Sequence, residues 1–152
     1  MAELIPVDFN PFENDVTSVS ISTTEEQREI WTSIQVGGNA ANLSYNESVS
    51  LILKGNFQYK AFCFAVQKTI ERHESLRAVI SADGNTVTFK KDLSIEIPLV
   101  DLSSSTNRDV ELEKFIRNEM NQAFELTHGP LARIHVIKLD EKKHQVIQLY
   151  AY

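Results

Sequence analysis

Arg72-His73-Glu74-Ser75-Leu76-Arg77 sets two arginines, a histidine and a glutamate around a single leucine. Ionisable groups at this density can do one of two things. They can stand solvated at a helix end, where basic side chains suit the negative end of the dipole. Or they can lock into a network that tunes their protonation and holds a neighbouring loop. The residues alone admit both. The junction itself is unusual, because a helical pattern passes into the apolar run Ala78-Val79-Ile80 with none of the Gly, Asn or Pro that commonly closes a helix.

Gly129-Pro130-Leu131-Ala132-Arg133 is a turn that starts a strand. Arg133, beside Ile134 and Val136, either points to solvent or pairs with a buried acid. The four histidines, His73, His128, His135 and His144, follow no ligand spacing and read as surface or packing residues. No Gly-x-Ser-x-Gly elbow is present, and Gly37-Gly38 stands alone, so neither a hydrolase nucleophile nor a phosphate loop is indicated. Cys63, the single cysteine, excludes an internal disulfide. Flanked by Ala61, Phe62, Phe64 and Ala65, it reads as a small buried hydrophobe. Glu25, Glu26 and Glu29 suit the first turn of a helix and need no catalytic role.

The elements that position these groups follow from periodicity and turn chemistry. Residues 1–22 form a leader with Pro6, Pro11, Phe9 and Phe12. Thr23 or Thr24 caps the next helix, with Glu26 or Gln27 as the reciprocal partner. Ile30, Trp31 and Ile34 share one face of that helix, and Gly37-Gly38 ends it. A polar loop over 42–46 leads to a strand over 48–53, where Val49, Leu51 and Leu53 supply a buried face. A helix over 57–74 carries Phe62, Ala65, Val66, Thr69 and Ile70 inward. A strand over 76–80 then turns through Ala82-Asp83-Gly84-Asn85, with Asp-Gly supplying positive φ angles, into a strand over 86–90. A strand over 93–100 is interrupted by Pro98. A helix over 107–124 turns Leu112, Phe115, Ile116, Met120 and Ala123 inward. Strands over 131–139 and 145–152 close a hairpin at Asp140-Glu141-Lys142-Lys143.

The 152 residues fit one domain, and their 42% hydrophobic and 24% charged content exclude a disordered chain. A net charge of −6 without a Lys/Arg cluster argues against nucleic acid. The N-terminus lacks a basic and apolar signal, and no run reaches the roughly 18 apolar residues of a membrane span, which predicts a cytoplasmic protein without membrane partners. Interspersed helices and hairpins predict an α+β, two-layer sandwich with a mixed, largely antiparallel sheet. The strand pattern stops at Tyr150-Ala151-Tyr152 with no turn or polar tail, which predicts a chain truncated within or just after a buried strand.

Five blocks, set in order, resemble one family, the condensation domains of nonribosomal peptide synthetases. Thr24-Glu25-Glu26-Gln27-Arg28-Glu29-Ile30-Trp31 is similar to its first signature, Ser-x-Ala-Gln-x-Arg-Leu-Trp. Gln27 and Trp31 are kept, Ile30 replaces Leu, and Glu26 and Glu29 depart. Tyr45-Asn46 resembles the Tyr-Asn ahead of the family's first core strand, and Gly55 with the following helix resembles the next block. Arg72 to Arg77 matches Arg-His-Glu-x-Leu-Arg at every fixed position. Phe124-Glu125-Leu126 and Gly129-Pro130-Leu131-Ala132-Arg133 resemble Phe-Asp-Leu and Gly-Pro-Leu with its following Arg. The leader, with Val7-Asp8-Phe9-Asn10-Pro11-Phe12, resembles segments ahead of such domains in hybrid polyketide–peptide synthases.

The resemblance implies a chloramphenicol acetyltransferase-like lobe over 23–152 preceded by a docking leader over 1–22. It implies a parent activity of amide-bond formation between carrier-tethered acyl and aminoacyl thioesters. No metal or soluble cofactor is implied, since phosphopantetheine arrives on the carriers. The family's catalytic His-His-x-x-x-Asp-Gly is absent, which implies no catalytic residue in this chain and no activity alone. The signature aspartate pairs with an arginine in the family; Arg72 and Arg77 are the candidates, Arg77 preferred, and the corner with His73 and Glu74 then braces the catalytic loop. The implied partners are acyl and peptidyl carrier proteins, the second lobe of the same domain and, through the truncated face, a second copy. A non-catalytic module that contacts carriers is the alternative. An epimerisation domain or wax-ester-type acyltransferase shares the fold, but the Arg-His-Glu-x-Leu-Arg and Tyr-Asn matches favour condensation.

Overall fold

The computed structural model describes residues 18–151, so the leader up to residue 17, with its aromatic and proline residues, and Tyr152 lie outside the described residues. The chain enters through β1 (Val19–Ser22), so the last residues of the span read as leader are a strand. Helix α1 (Glu25–Ser44) opens on a capping box. The Gln27 amide donates to Thr24 Oγ1 at 3.3 Å and the Thr24 amide donates to Gln27 Oε1 at 3.0 Å.

Gly37-Gly38 kinks α1 rather than ending it. Gly38 takes φ 61 and ψ −146, and helical turns resume to Ser44 across the span read as a polar loop. Only glycine enters that conformation cheaply. The resumed turn is held from outside, because Asn42 Nδ2 donates to the Phe124 carbonyl at 2.9 Å.

After β2 (Asn46–Lys54) comes α2 (Tyr59–Arg72). A 3₁₀ turn over Glu74–Arg77 follows, and then β3 (Ala78–Ile80). The strand expected from Leu76 therefore begins two residues later. Strand β4 (Thr86–Phe89) returns antiparallel to β3. In the turn between them only Gly84 has a positive φ, 72, so Asp83 does not share that role. Its carboxylate instead accepts from the Ser81 hydroxyl, the Asn85 amide and Asn85 Nδ2. These bonds pull its pKa down to about 2.

Strand β5 is short (Leu99–Asp101). Residues 93–98 form no ladder; Ile95 is buried as a side chain instead, and the Pro98 carbonyl accepts from the Val136 amide at 2.9 Å. Helix α3 (Arg108–Met120) stops earlier than its pattern predicts, with Met120 41% exposed. Strands β6 (Ala132–Asp140) and β7 (Lys143–Ala151) form the closing hairpin.

The described strands form two sheets, β1-β4-β3 and β2-β7-β6-β5. Among the described strands only β5 against β6 is parallel, so the mixed, largely antiparallel expectation holds. Helices cover both faces of the larger sheet. Ile30, Trp31 and Ile34 of α1 and Leu112, Phe115 and Ile116 of α3 pack on Ile137, Ile147 and Leu149. Phe62 and Val66 of α2 pack on Ile134, Val136 and Val146 from the other side. Val136, Ile137 and Leu149 are 0% exposed. Each such side chain contributes about 1.5–3 kcal/mol by its burial.

Strand β2 departs from its pattern. Val49 and Leu51 are 46% exposed, and of the expected inner face only Leu53 reaches the core. The strand is outermost, and α2 packs over the inner strands β6 and β7.

Candidate functional site

The charged corner is built around Arg77. Helix α2 ends at Arg72, where the His73 amide donates to the Thr69 carbonyl at 3.0 Å. The tighter 3₁₀ turn then swings Arg77 back along the helix. Its Nε donates to the Ile70 carbonyl at 3.1 Å, Nη2 to the Glu71 carbonyl at 3.5 Å, and Nη1 to the Lys90 and Lys91 carbonyls. One guanidinium thus ties the end of α2 to the end of β4 through acceptors that a helix terminus leaves open. Arg72, His73 and Glu74 are exposed. The corner is therefore not a network of ionised side chains. It is one half-buried arginine that gives four bonds to backbone carbonyls, beside three exposed groups. Leu76 inserts below it into the cluster of Ile70, Ile95 and Ala132, where Tyr150 near the end of β7 also packs.

A second arginine carries the charge pairing that the first lacks. Arg133 Nη2 donates to the carbonyls of Glu119 at 3.0 Å and Gln122 at 2.6 Å, and Nη1 to that of Ala123 at 3.5 Å. Its guanidinium lies 4.1 Å from the centroid of the Phe124 ring. Its Nε is 3.8 Å from Glu119 Oε2, and the same oxygen is 3.0 Å from His135 Nε2. The three side chains are 12–21% exposed. Burial pushes the Arg133 guanidinium below its ordinary pKa, and the Glu119 charge opposes that shift. Of the two fates left open for Arg133, pairing with an acid is the one realised. The captured carbonyls also explain why α3 stops at Met120.

Glu119 was not singled out by sequence, and His135 was read with the other histidines as a surface or packing residue. A signal existed for the histidine: Arg133 and His135 share one face of a strand by period 2. Phe115 and Glu119, four apart on α3, meet that face, and the Phe115 ring stands edge-on to His135 at 5.2 Å. Nothing in the sequence marked Glu119 among the chain's acids.

The remaining motif residues fasten elements together. Gln27 caps α1. Trp31 lies against Gly84, where an added Cβ would stand 2.5 Å from the indole Cδ2. Thr23 Oγ1 donates to the Gly84 carbonyl at 2.9 Å, so the start of α1 and the β3–β4 turn are joined twice. Tyr45 closes α1 and packs into the core. Asn46 Nδ2 donates to the Met120 and Gln122 carbonyls at 3.2 and 3.0 Å. Gly129 precedes a cis bond to Pro130 and has φ 62; a Cβ there would stand 2.9 Å from Val79 Cγ1.

A cleft of about 410 Å³ opens beside the second cluster, lined by Ile95, Pro98, Phe124, Pro130, Arg133 and His135 among others. Among the described residues its lining contains no serine, threonine, cysteine, lysine or tyrosine. Among the described residues no group of three or more His, Cys, Asp or Glu could hold a metal ion.

A family model described as "Condensation domain" matches residues 19–150. The chain belongs to the condensation-domain family. Surfactin synthase subunit 2 of Bacillus subtilis (strain 168) is 33% identical over 123 residues, covering 80% of this chain and 3% of that protein. Chondramide synthase cmdD of Chondromyces crocatus is 29% identical over 128 residues, 82% of this chain and 3% of that protein. The starter condensation domain of rhizomide synthetase RzmA superposes with a TM-score of 0.79 at 22% identity, covering 88% of this chain and 34% of the solved one. This condensation-family chain therefore spans about a third of that solved structure. The chloramphenicol acetyltransferase-like lobe expected from the motif blocks is the fold observed. Among the described residues no helix is long and apolar enough to cross a membrane.

Proposed function

We propose that this chain is the N-terminal lobe of a condensation domain whose complete form makes an amide bond. In that reaction the amine of an acceptor aminoacyl thioester attacks the donor thioester carbonyl. A C–N bond forms, the C–S bond breaks, and the donor carrier leaves as its thiol. The observation that carries this reading is the family match over residues 19–150, with the motif blocks in order along one lobe.

On this reading the lobe supplies support and no reacting group. Adjacent histidines do not occur in the 152 residues, so the His-His-x-x-x-Asp-Gly signature lies elsewhere. Four of the five Arg77 N–H donors are taken by backbone carbonyls. Arg72, exposed at the same corner, is the arginine left to pair with the signature aspartate, while Arg77 fixes the corner from which it reaches. This reverses the preference the motif alone gave. Carrier proteins bring both substrates on phosphopantetheine, the second lobe completes the site, and the segment ahead of β1 docks to an upstream partner. No soluble cofactor is required, and the cytoplasm is the compartment where such carriers are loaded.

The test is a peptide-forming assay on the 152-residue chain with donor and acceptor carriers, both loaded. No product above the carriers alone is expected. Adding the remaining part of a condensation domain in trans should bring turnover only when Arg72 is present. Turnover by the chain alone, or full complementation by Arg72→Ala, overturns the assignment.

A further inference from the structure

Asp83-Gly84 is the single Asp-Gly step in the 152 residues, and Asn-Gly does not occur. Such a step is chemically reactive in a free chain. Glycine has no side chain to shield its amide or to restrict its backbone, so the Gly84 nitrogen can close on the Asp83 side-chain carboxyl. A C–N bond forms, and the carboxyl hydroxyl leaves with the amide proton as water, giving a five-membered succinimide. Water then opens the ring at either carbonyl. Opening at the main-chain carbonyl leaves isoaspartate, in which the backbone runs through the former side chain and is one atom longer.

The fold blocks both reacting groups. The Gly84 amide donates to the Ser81 carbonyl at 2.9 Å, and Gly84 is buried under the Trp31 indole. The Asp83 carboxyl must be neutral for its hydroxyl to leave as water. Asp83 Oδ1 accepts from the Ser81 hydroxyl and, at 3.1 Å, from the Asn85 amide, while Oδ2 accepts from Asn85 Nδ2 at 2.9 Å. Donors on both oxygens favour the ionised form and hold the carboxylate on Ser81 and Asn85. Asp83 itself is exposed, so hydrogen bonding and not burial protects it.

The turn is also anchored on every side of the reactive step. The Ser81 amide donates to the Thr86 carbonyl at 2.9 Å and the Thr23 amide to the Asn85 carbonyl at 3.0 Å. Thr23 Oγ1 donates to the Gly84 carbonyl at 2.9 Å. An added main-chain atom between Asp83 and Gly84 falls inside this set of bonds. All of these partners lie within residues 23–86, so the arrangement does not depend on the rest of a condensation domain.

We propose that Asp83-Gly84 is a modification site gated by folding: it is closed in the native turn, forms isoaspartate in the unfolded chain, and once lengthened no longer docks on Trp31 and Thr23. Unfolding thereby leaves a covalent mark on the chain. This inference rests on the β3–β4 turn and is independent of the amide-forming reading.

The test ages the 152-residue chain in native buffer and in guanidinium at one temperature and one mildly acidic pH. Isoaspartate at residue 83 is read by peptide mapping, where the isomer separates at unchanged mass. Accumulation should be at least about tenfold slower in native buffer, since only the opened fraction reacts. Ser81→Ala removes the hydroxyl that donates to Asp83 and accepts from the Asn85 and Thr86 amides. Ser81 contributes no atom to the ring, so Ser81→Ala should speed accumulation in native buffer and leave the rate in guanidinium unchanged. After the guanidinium is removed, isoaspartate should be enriched in the fraction that fails to regain native elution on size exclusion. Equal rates in the two solvents, no isoaspartate in the denatured chain, a folded Ser81→Ala that ages at the parent's rate, or an even spread between refolded and unfolded fractions overturns the proposal. If Ser81→Ala does not fold, the parent's two rates and the refolding fractions decide.

Discussion

Arg133 stacks on Phe124, with 4.1 Å between the guanidinium carbon and the ring centroid. The same guanidinium takes the carbonyls at the end of α3 and leans on Glu119. Phe124 and Arg133 come from two separate sequence blocks, and here they form one joint between helix, turn and strand.

Removing one member of that joint leaves the others buried without partners. Arg133→Ala should lower unfolding stability by roughly 2–4 kcal/mol, the range for breaking a largely buried pair. A Glu119→Gln and Arg133→Met double-mutant cycle should show a coupling of about 1–2 kcal/mol. Urea unfolding of the four proteins gives both numbers, and additive effects would mean that the carbonyl bonds act without Glu119.

Trp31 is the only tryptophan, and it rests on Gly84. Gly84→Ala places a Cβ 2.5 Å from the indole Cδ2 and imposes φ 72 on an L-residue. Strain and overpacking together should cost about 2–4 kcal/mol. Trp31 emission should shift to longer wavelength as its contact loosens, and an unchanged spectrum with unchanged stability would contradict the contact.

Among the described residues Arg77 bonds to backbone acceptors and to no carboxylate. Arg77→Lys should therefore behave almost like Arg77→Ala, because an ammonium cannot reach acceptors on both sides of the corner. Each change should lose about 2 kcal/mol or more, the range for bonds from a charged donor. Thermal unfolding in high salt separates this from an ion pair: the loss should persist, since screening acts on charge pairs.

Asp83 gives a pH signature. Its pKa is lowered from 3.8 to about 2 by Ser81 and Asn85. A depressed carboxylate pKa stabilises the fold above the unfolded value, and that contribution is lost as pH falls through the folded value. The melting-temperature gap between the parent chain and Asp83→Asn should be constant above pH 3.8 and close by about pH 2. A gap that is independent of pH would remove the carboxylate from the turn.

Local chemistry made much of this molecule legible in its sequence. The Thr24–Gln27 box, the α2 stripe ending at Ile70, and the hairpins at Gly84 and at 140–143 depend on neighbours within a few residues. What could not be read depends on distant partners. Helix α1 resumes after Gly38 where Asn42 finds the Phe124 carbonyl. Strand β2 alternates like a half-buried strand, yet its place at the sheet edge is fixed by topology. The corner illustrates the division best. Its six residues identify a family, but only the fold shows that Arg77 serves the backbone while the acid pairing falls to Arg133 and Glu119.

The order β2-β7-β6-β5 also governs how the chain can assemble while it is being made. Strand β7 is the last described element, yet it sits between β2 and β6, with Asn46 paired to Ala151. Until that strand emerges from the ribosome, β2 has nothing to lie against and the larger sheet cannot close. Such non-local closure is slow and leaves apolar strand edges open in the meantime. The stretch from β2 to β7 is therefore made with β2 still lacking its ladder partner, and the larger sheet closes only when β7 follows.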